Sequence, residues 1–283
     1  MKLLRVGPQG AERPAVLGQD GTAFDLSGRT PDIDGAFLAA LDPAELARAV
    51  EAGELPVVDI AGQRVGAPVT RPGKVVGIGL NYRDHAAEAG AAIPAEPVVF
   101  LKPSNTVVGP NDEVLIPRGG EKTDYEVELA IVIGRTARYL DSHQEAAAVI
   151  AGYAAVNDVT ERAFQFERGG QWDKGKSAET FTPLGPWLVT ADEVGDPQRL
   201  GLRLWVNGEL RQDGSTAEMI FPVHEVVRYL SHFMVLEPGD VIVTGTPAGV
   251  TLGRPGTPFL KPNDVVELEV DGLGRQRQVL GKA

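Results

Sequence analysis

In the run Asp124-Tyr125-Glu126-Val127-Glu128-Leu129-Ala130-Ile131-Val132-Ile133, two carboxylates stand two positions apart on a stretch of strand-like composition. Side chains alternate along a strand, so Glu126, Glu128 and Ala130 share one face while Val127, Leu129, Ile131 and Ile133 turn into a core. Carboxylates about 7 Å apart repel by roughly 2 to 3 kcal/mol at an effective dielectric near 20. A cation between them reverses that cost; a sheet face in water merely solvates them. Asp158 adds a third acid at the end of the apolar run Val149 to Val156, and strand ends are where folds deliver site residues. Three hard oxygen donors, in a chain with no cysteine, favour Mg²⁺ or Mn²⁺ over zinc. Asp158 has a second reading, as the N-cap of a capping box with Glu161 at a helix starting near Thr160. Arg162 and Gln165 then lie one and two turns along, beside the ion, unless Arg162 is a surface ion-pair partner.

His85 and Glu88 are the next candidates. On a short helix following Gly79-Leu80-Asn81-Tyr82-Arg83-Asp84 they share a face at i and i+3, where a carboxylate orients an imidazole and raises its basicity. That is the geometry of a general base, or of a modest surface pair. His143, His224 and His232 read as packing or surface residues. In Gly169-Gly170-Gln171-Trp172-Asp173-Lys174-Gly175-Lys176-Ser177 two ammonium groups lie on bendable backbone, either a solvated loop or a carboxylate or enolate clamp. Lys176 is the better clamp because it leads into Phe181-Thr182-Pro183-Leu184-Gly185-Pro186-Trp187. Thr244-Gly245-Thr246-Pro247-Ala248-Gly249-Val250 follows a strand and presents N–H groups and a hydroxyl to an anion.

These residues need a scaffold. Strand-like runs occupy Val75 to Leu80, Val98 to Leu101, Val127 to Ile133, Leu202 to Val206, Val241 to Val243 and Val265 to Val270. Helices are expected at Pro43 to about Gly53 with Asp42 as N-cap, His85 to Ala89, Ser142 to Ile150, Thr160 to Arg168 and Val223 to Phe233. The fold class is therefore α+β and β-dominated, with a small N-terminal α+β domain over 1–70, a Pro/Gly linker from Gly66 to Gly73, and a larger unit over 71–283. The 283 residues are 43% hydrophobic, enough to bury a substantial core. A net charge of −12 argues against nucleic acid and anionic membrane as partners. No segment reads as a signal peptide or membrane span, so a cytoplasmic enzyme is expected.

Gly79-Leu80-Asn81-Tyr82-x-x-His85, Phe100-Leu101-Lys102-Pro103, Glu126-Val127-Glu128, Asn157-Asp158-Val159-Thr160-x-Arg162, Gly175-Lys176-Ser177 and Thr244-Gly245-Thr246-Pro247 occur in an order that resembles the fumarylacetoacetate hydrolase family from about Lys74 to the C-terminus. The resemblance implies a mixed β-roll-like catalytic domain, a homodimer, and Mg²⁺ or Mn²⁺ held by Glu126, Glu128 and Asp158. It casts His85 with Glu88 as the water-activating dyad on a lid, Lys176 as a catalytic cation, and Arg162, Gln165 and Thr246 as residues that hold substrate oxygens. Within the family, Arg168-Gly169-Gly170-x-Trp172-Asp173-Lys174-Gly175-Lys176 looks closest to the 2,4-diketo-3-deoxy-L-fuconate hydrolases, the branch often labelled ureidoglycolate lyase-like. The chain departs from the pattern at Ile78, where some members carry a further metal-site aspartate, and at Ser177-Ala178-Glu179, where that branch usually has Gly-Cys-Asp. The implied activity is metal-dependent hydrolysis of a C–C bond in a 2,4-dioxo acid, an acylpyruvate or diketo-deoxy sugar acid, to pyruvate and a carboxylic acid. The alternatives are an oxaloacetate-type decarboxylase or 2-oxo acid isomerase on the same metal, and a non-catalytic carboxylate-binding protein.

Overall fold

Every side chain of the strand Val127–Ile133 is buried. It lies inside a ten-stranded mixed sheet in the computed structural model, which describes residues 1–283. It pairs antiparallel with Ile150–Asn157 on one side and with Val241–Val243 on the other. Val241–Val243 runs parallel to Val75–Gly79, which pairs antiparallel with Val98–Lys102 at the sheet edge. In the other direction Ile150–Asn157 pairs with Leu188–Thr190, and that strand with Lys2–Val6. The N-terminal strands Arg13–Leu17 and Ala23–Asp25 continue outward from there, so the sheet runs across the boundary expected near residue 70.

A five-stranded sheet, ordered Glu209–Ser215, Gly201–Val206, Val265–Val270, Gly274–Lys282 and Val114–Ile116, supplies the second layer. Leu202, Leu204, Val266 and Leu268 from it join Leu129, Ile131 and Ile133 in the larger core, together with Val223, Val226, Val227 and Leu230 of a helix. Ala130 and Val132 on the opposite face pack with Val156, Val243, Leu3, Val16 and Leu46. Both faces of the strand are therefore covered, which corrects the reading of Glu126 and Glu128 as solvated side chains on a wet sheet face.

Local sequence sets several helix starts. Asp42 caps Pro43–Glu51, its carboxylate accepting from the Ala44 and Glu45 N–H groups at 2.9 and 3.1 Å. Ser142 caps His143–Ala148 in the same way. The Val223–Leu230 helix stops short of the expected Phe233, which is 66% exposed. The helix expected from Thr160 begins instead at Arg162, with Glu161 as its N-cap. Thr160–Glu161 is drawn into a short antiparallel ladder with Thr123–Asp124, which keeps the chain extended and leaves the Asp158 carboxylate free of any capping duty. No helix is long and apolar enough to cross a membrane.

Ile131 is fully buried in the larger core. Ile131→Ala is expected to lower stability by about 2 to 5 kcal/mol, seen as a lower urea midpoint with an unchanged slope.

Candidate active site

Strand register brings four chain segments to one end of the large sheet. Val127 lies opposite Asn157, Ala130 opposite Val243, and Val243 beside Gly77. The start of Val127–Ile133 thus meets the ends of three neighbouring strands. Glu126 and Glu128 arrive from the first, Asp158 from the second, Gly245 and Thr246 from the third, and the His85 helix from the fourth. All of them line one cavity of about 550 Å³.

One oxygen each from Glu126, Glu128 and Asp158 lie within 4.8 Å of one another, and all three residues are buried. Lys176 Nζ donates to Glu126 Oε2 at 2.7 Å and to Asp158 Oδ2 at 2.5 Å. Lys102 Nζ donates to Asp158 Oδ1 and, at 2.9 Å, to the Phe181 carbonyl. Arg162 is buried rather than a surface partner: Nη2 donates to Glu126 Oε1 at 2.6 Å, Nε to Asp124 Oδ2 at 2.9 Å, and Nη1 to Gln165 Oε1 at 3.1 Å. Glu128 stands apart. Its only hydrogen bond comes from the Gly245 N–H, at 2.8 Å to Oε2, and it has no cationic partner.

The charges respond accordingly. Burial opposes ionisation of Glu126, but Lys176 and Arg162 outweigh it and hold that carboxyl well below its ordinary range. Burial pushes Glu128 well above its usual value, and the Asp158 and Glu126 charges push it further. Burial also lowers the Lys102 ammonium, whereas Asp158 and Glu126 overcome burial and raise Lys176. Four buried acids, Asp124, Glu126, Glu128 and Asp158, thus face three buried cations, Lys102, Arg162 and Lys176. Three converging hard oxygens, one of them on an acid without a cationic partner, fit a divalent cation of the Mg²⁺ or Mn²⁺ type.

His85 and Glu88 meet on the helix Arg83–Glu88, with His85 Nδ1 3.4 Å from Glu88 Oε2. Burial works against the Glu88 charge, but His85 and the Gly249 N–H, 3.0 Å from both oxygens, keep the carboxyl below its ordinary value. The N–H groups of the 244–250 turn bind the protein's own acids, Gly245 holding Glu128, Ala248 Asp84 and Gly249 Glu88. Gly245 has φ +95°, and a Cβ there would stand 2.8 Å from that of Asn81, so the turn requires glycine. Thr246 lines the cavity, but its hydroxyl donates to the Val127 carbonyl at 2.9 Å and accepts from Gln212 at 2.7 Å, so its proton is not free for a substrate oxygen. Gln165 also lines the cavity. Lys174 turns away and donates to the Arg168 carbonyl at 2.7 Å. His143 pairs with Glu225 at 2.9 Å and His232 with the Leu140 carbonyl at 3.0 Å, both away from the cavity.

Two site residues carried no role in the sequence reading. Lys102 ends a strand on which Val99 and Leu101 face outward while Phe100 and Lys102 face inward, the reverse of the usual amphipathic pattern. Asp124 closes the polar run Glu121-Lys122-Thr123, which reads as a loop. It is fully buried, binding Arg162 and the Thr251 and Leu252 N–H groups at 2.9 and 3.1 Å. The only hint to either was its nearness to a motif: Lys102 within Phe100-Leu101-Lys102-Pro103, and Asp124 two residues before Glu126.

A family model, the C-terminal domain of fumarylacetoacetate hydrolase, matches residues 74–280. A Burkholderia ambifaria protein assigned provisionally to the hydrolases is 53% identical over 279 residues, covering 98% of each chain. Among solved structures, maleylpyruvate hydrolase from Sphingobium sp. SYK-6, in complex with manganese(II) and pyruvate, aligns over 100% of both chains with 29% identity and a TM-score of 0.81. The 5-carboxymethyl-2-hydroxymuconate delta-isomerase of Mycobacterium smegmatis aligns over 100% of this chain and 99% of its own, with 32% identity and a TM-score of 0.77.

Removing one cation from the cluster leaves its buried acids under-compensated. Lys102→Met is expected to cost about 3 kcal/mol of stability or more, measured by urea unfolding.

Proposed function

The chain belongs to the fumarylacetoacetate hydrolase family, and on that basis we propose that it hydrolyses a carbon–carbon bond of a 2,4-dioxo acid, releasing pyruvate and a carboxylic acid. One observation carries the reading: the Glu126, Glu128 and Asp158 cluster and the His85–Glu88 pair line the same cavity. The manganese and pyruvate bound by the maleylpyruvate hydrolase support a hard divalent ion, Mg²⁺ or Mn²⁺, as the cofactor. Glu126, Glu128 and Asp158 would hold it, and when bound it supplies Lewis acidity toward the substrate's oxygens.

The chain's own groups supply the rest. Glu88 accepts from His85 Nδ1–H, which leaves Nε2 bare to take a proton from water. That water attacks the C4 carbonyl carbon. The C3–C4 bond then breaks, its electron pair passes to the pyruvate enolate, and the proton held by His85 returns to C3, so atoms and charges balance. Lys176 uses two of its three N–H donors on Glu126 and Asp158, leaving one for a substrate oxygen as negative charge develops. Arg162 fixes Glu126 from the other side and adds positive potential.

Isomerisation on the same site is the second reading, favoured by the solved isomerase. Tautomerisation needs no attacking water, whereas a carboxylate-oriented imidazole beside the acid cluster is equipment for activating one. Product analysis separates the two, since hydrolysis yields two acids and isomerisation yields one.

Mg²⁺ or Mn²⁺ is expected to raise Tm, by the equivalent of about 2.7 kcal/mol at a hundredfold excess over Kd, and a chelator to abolish both the shift and turnover. Glu128→Gln should lose both effects. His85→Ala should keep the metal-induced Tm shift and lose about 100-fold or more in kcat. Full turnover by His85→Ala would remove the dyad from the mechanism.

A further inference from the structure

We infer that the acyl part of the substrate is uncharged and ends in hydrocarbon, so that the enzyme selects methyl- or alkyl-ended 2,4-dioxo acids against those with a second carboxylate. The inference rests on the proposed reaction and concerns the part of the cavity that the acid cluster does not occupy.

An aromatic wall leads from that cluster to solvent. Lys176 Nζ lies 4.9 Å from the centroid of the Phe100 ring, Phe100 stands 6.1 Å from Trp172, and Trp172 stands 5.9 Å from Phe166, edge-on at 80°. Exposure rises along this path, from buried Phe100 to Phe166 at 45%. The wall is built into the fold. A Cβ on Gly79 would come within 2.3 Å of the Trp172 ring, so the strand gives up a side chain to seat the indole. Asp173 then ties the same segment to the neighbouring strand, accepting from the Leu101 N–H at 3.0 Å. Leu80, Leu252 and Pro255 complete the apolar lining, with Leu252 44% exposed.

The only lysine and arginine side chains that line the cavity are Arg162 and Lys176. Arg162 and Lys176 are engaged by Asp124, Glu126 and Asp158. Arg254 faces Glu88 at 3.8 Å. Arg168, which lies over Phe164, and Lys174, which donates to the Arg168 carbonyl, are not part of the lining. Glu88 meanwhile contributes negative charge to the cavity wall. A terminal carboxylate would lose its water without gaining a partner, whereas a terminal methyl gains from the same burial.

The test is titration calorimetry of the full-length, Mg²⁺-loaded protein with 2-oxohexanoate and 2-oxohexanedioate, a pair that differs in a terminal methyl against a carboxylate. The monoacid is expected to bind about 30-fold tighter or better. Phe166→Arg, which places a cation at the mouth, should move the ratio at least about tenfold toward the diacid. A residue that merely supports the fold would weaken both ligands together. Equal binding, preference for the diacid, or a ratio that Phe166→Arg does not move overturns the inference. Because these ligands bind without being cleaved, the ratio is independent of the reaction. An intact ratio with no cleavage of any 2,4-dioxo acid upholds the inference and removes the hydrolase reading. Cleavage with a reversed ratio does the opposite.

Discussion

The structure depends on the close pairing of buried acids with buried cations at one end of the large sheet. Glu126, Asp158 and Asp124 are matched by Lys176, Lys102 and Arg162 through short hydrogen bonds, and each of these six residues is buried. Taking such groups out of water costs several kcal/mol per ion, and only near-complete pairing recovers it. Glu128 is the exception, with one backbone N–H for company. A fold that served stability alone gains nothing from a buried acid set among other acids. The divalent cation proposed above would supply the partner that this acid lacks, and buried acids of that kind cluster at functional sites.

The same cluster ties the segments around the cavity together. Asp124 binds Arg162 on one side and the Thr251 and Leu252 N–H groups on the other, while Glu88 holds the Gly249 N–H and faces His85. The 249–252 segment is therefore tied both to the acid cluster and to the proposed base. Asn81 adds a second link, its side chain bonded to the Thr244 carbonyl and to both the N–H and carbonyl of Phe221. Spacing between base and cluster follows from these ties. Loops alone would not hold groups to the tolerance that proton transfer needs, and here the sheet ends and buried carboxylates do so.

Much of this was legible in the chain. The apolar run from Val127 to Ile133 located the central strand, and the two-residue spacing of Glu126 and Glu128 put both acids on one face of it, because side chains alternate along a strand. Asp42-Pro43 and Ser142 marked helix starts, because an exposed helix end takes its hydrogen bonds from its own neighbours. The His85–Glu88 pair followed from i, i+3 geometry. What misled was also local. Asp158-x-x-Glu161 fits a capping box, yet the ladder between Thr160–Glu161 and Thr123–Asp124 moved the cap to Glu161. Phe233 fits the stripe of its helix, yet the chain turns after Leu230.

By itself, then, the order of residues determined the central strands of the large sheet, the starts of the Pro43–Glu51, His143–Ala148 and Val223–Leu230 helices, the identity of the three converging acids and the imidazole–carboxylate pair, since each depends on neighbours a few positions away. Tertiary structure alone decided that both faces of the central strand are covered, that Lys102 and Asp124 belong to the cluster, that the hydroxyl of Thr246 is turned to the backbone, and that Phe100, Trp172 and Phe166 line a path to solvent. Those facts depend on partners far apart in the chain, 127 residues in the case of Asp124 and Thr251. Desolvation and charge pairing are set by everything that surrounds a group in space, and no local pattern encodes that.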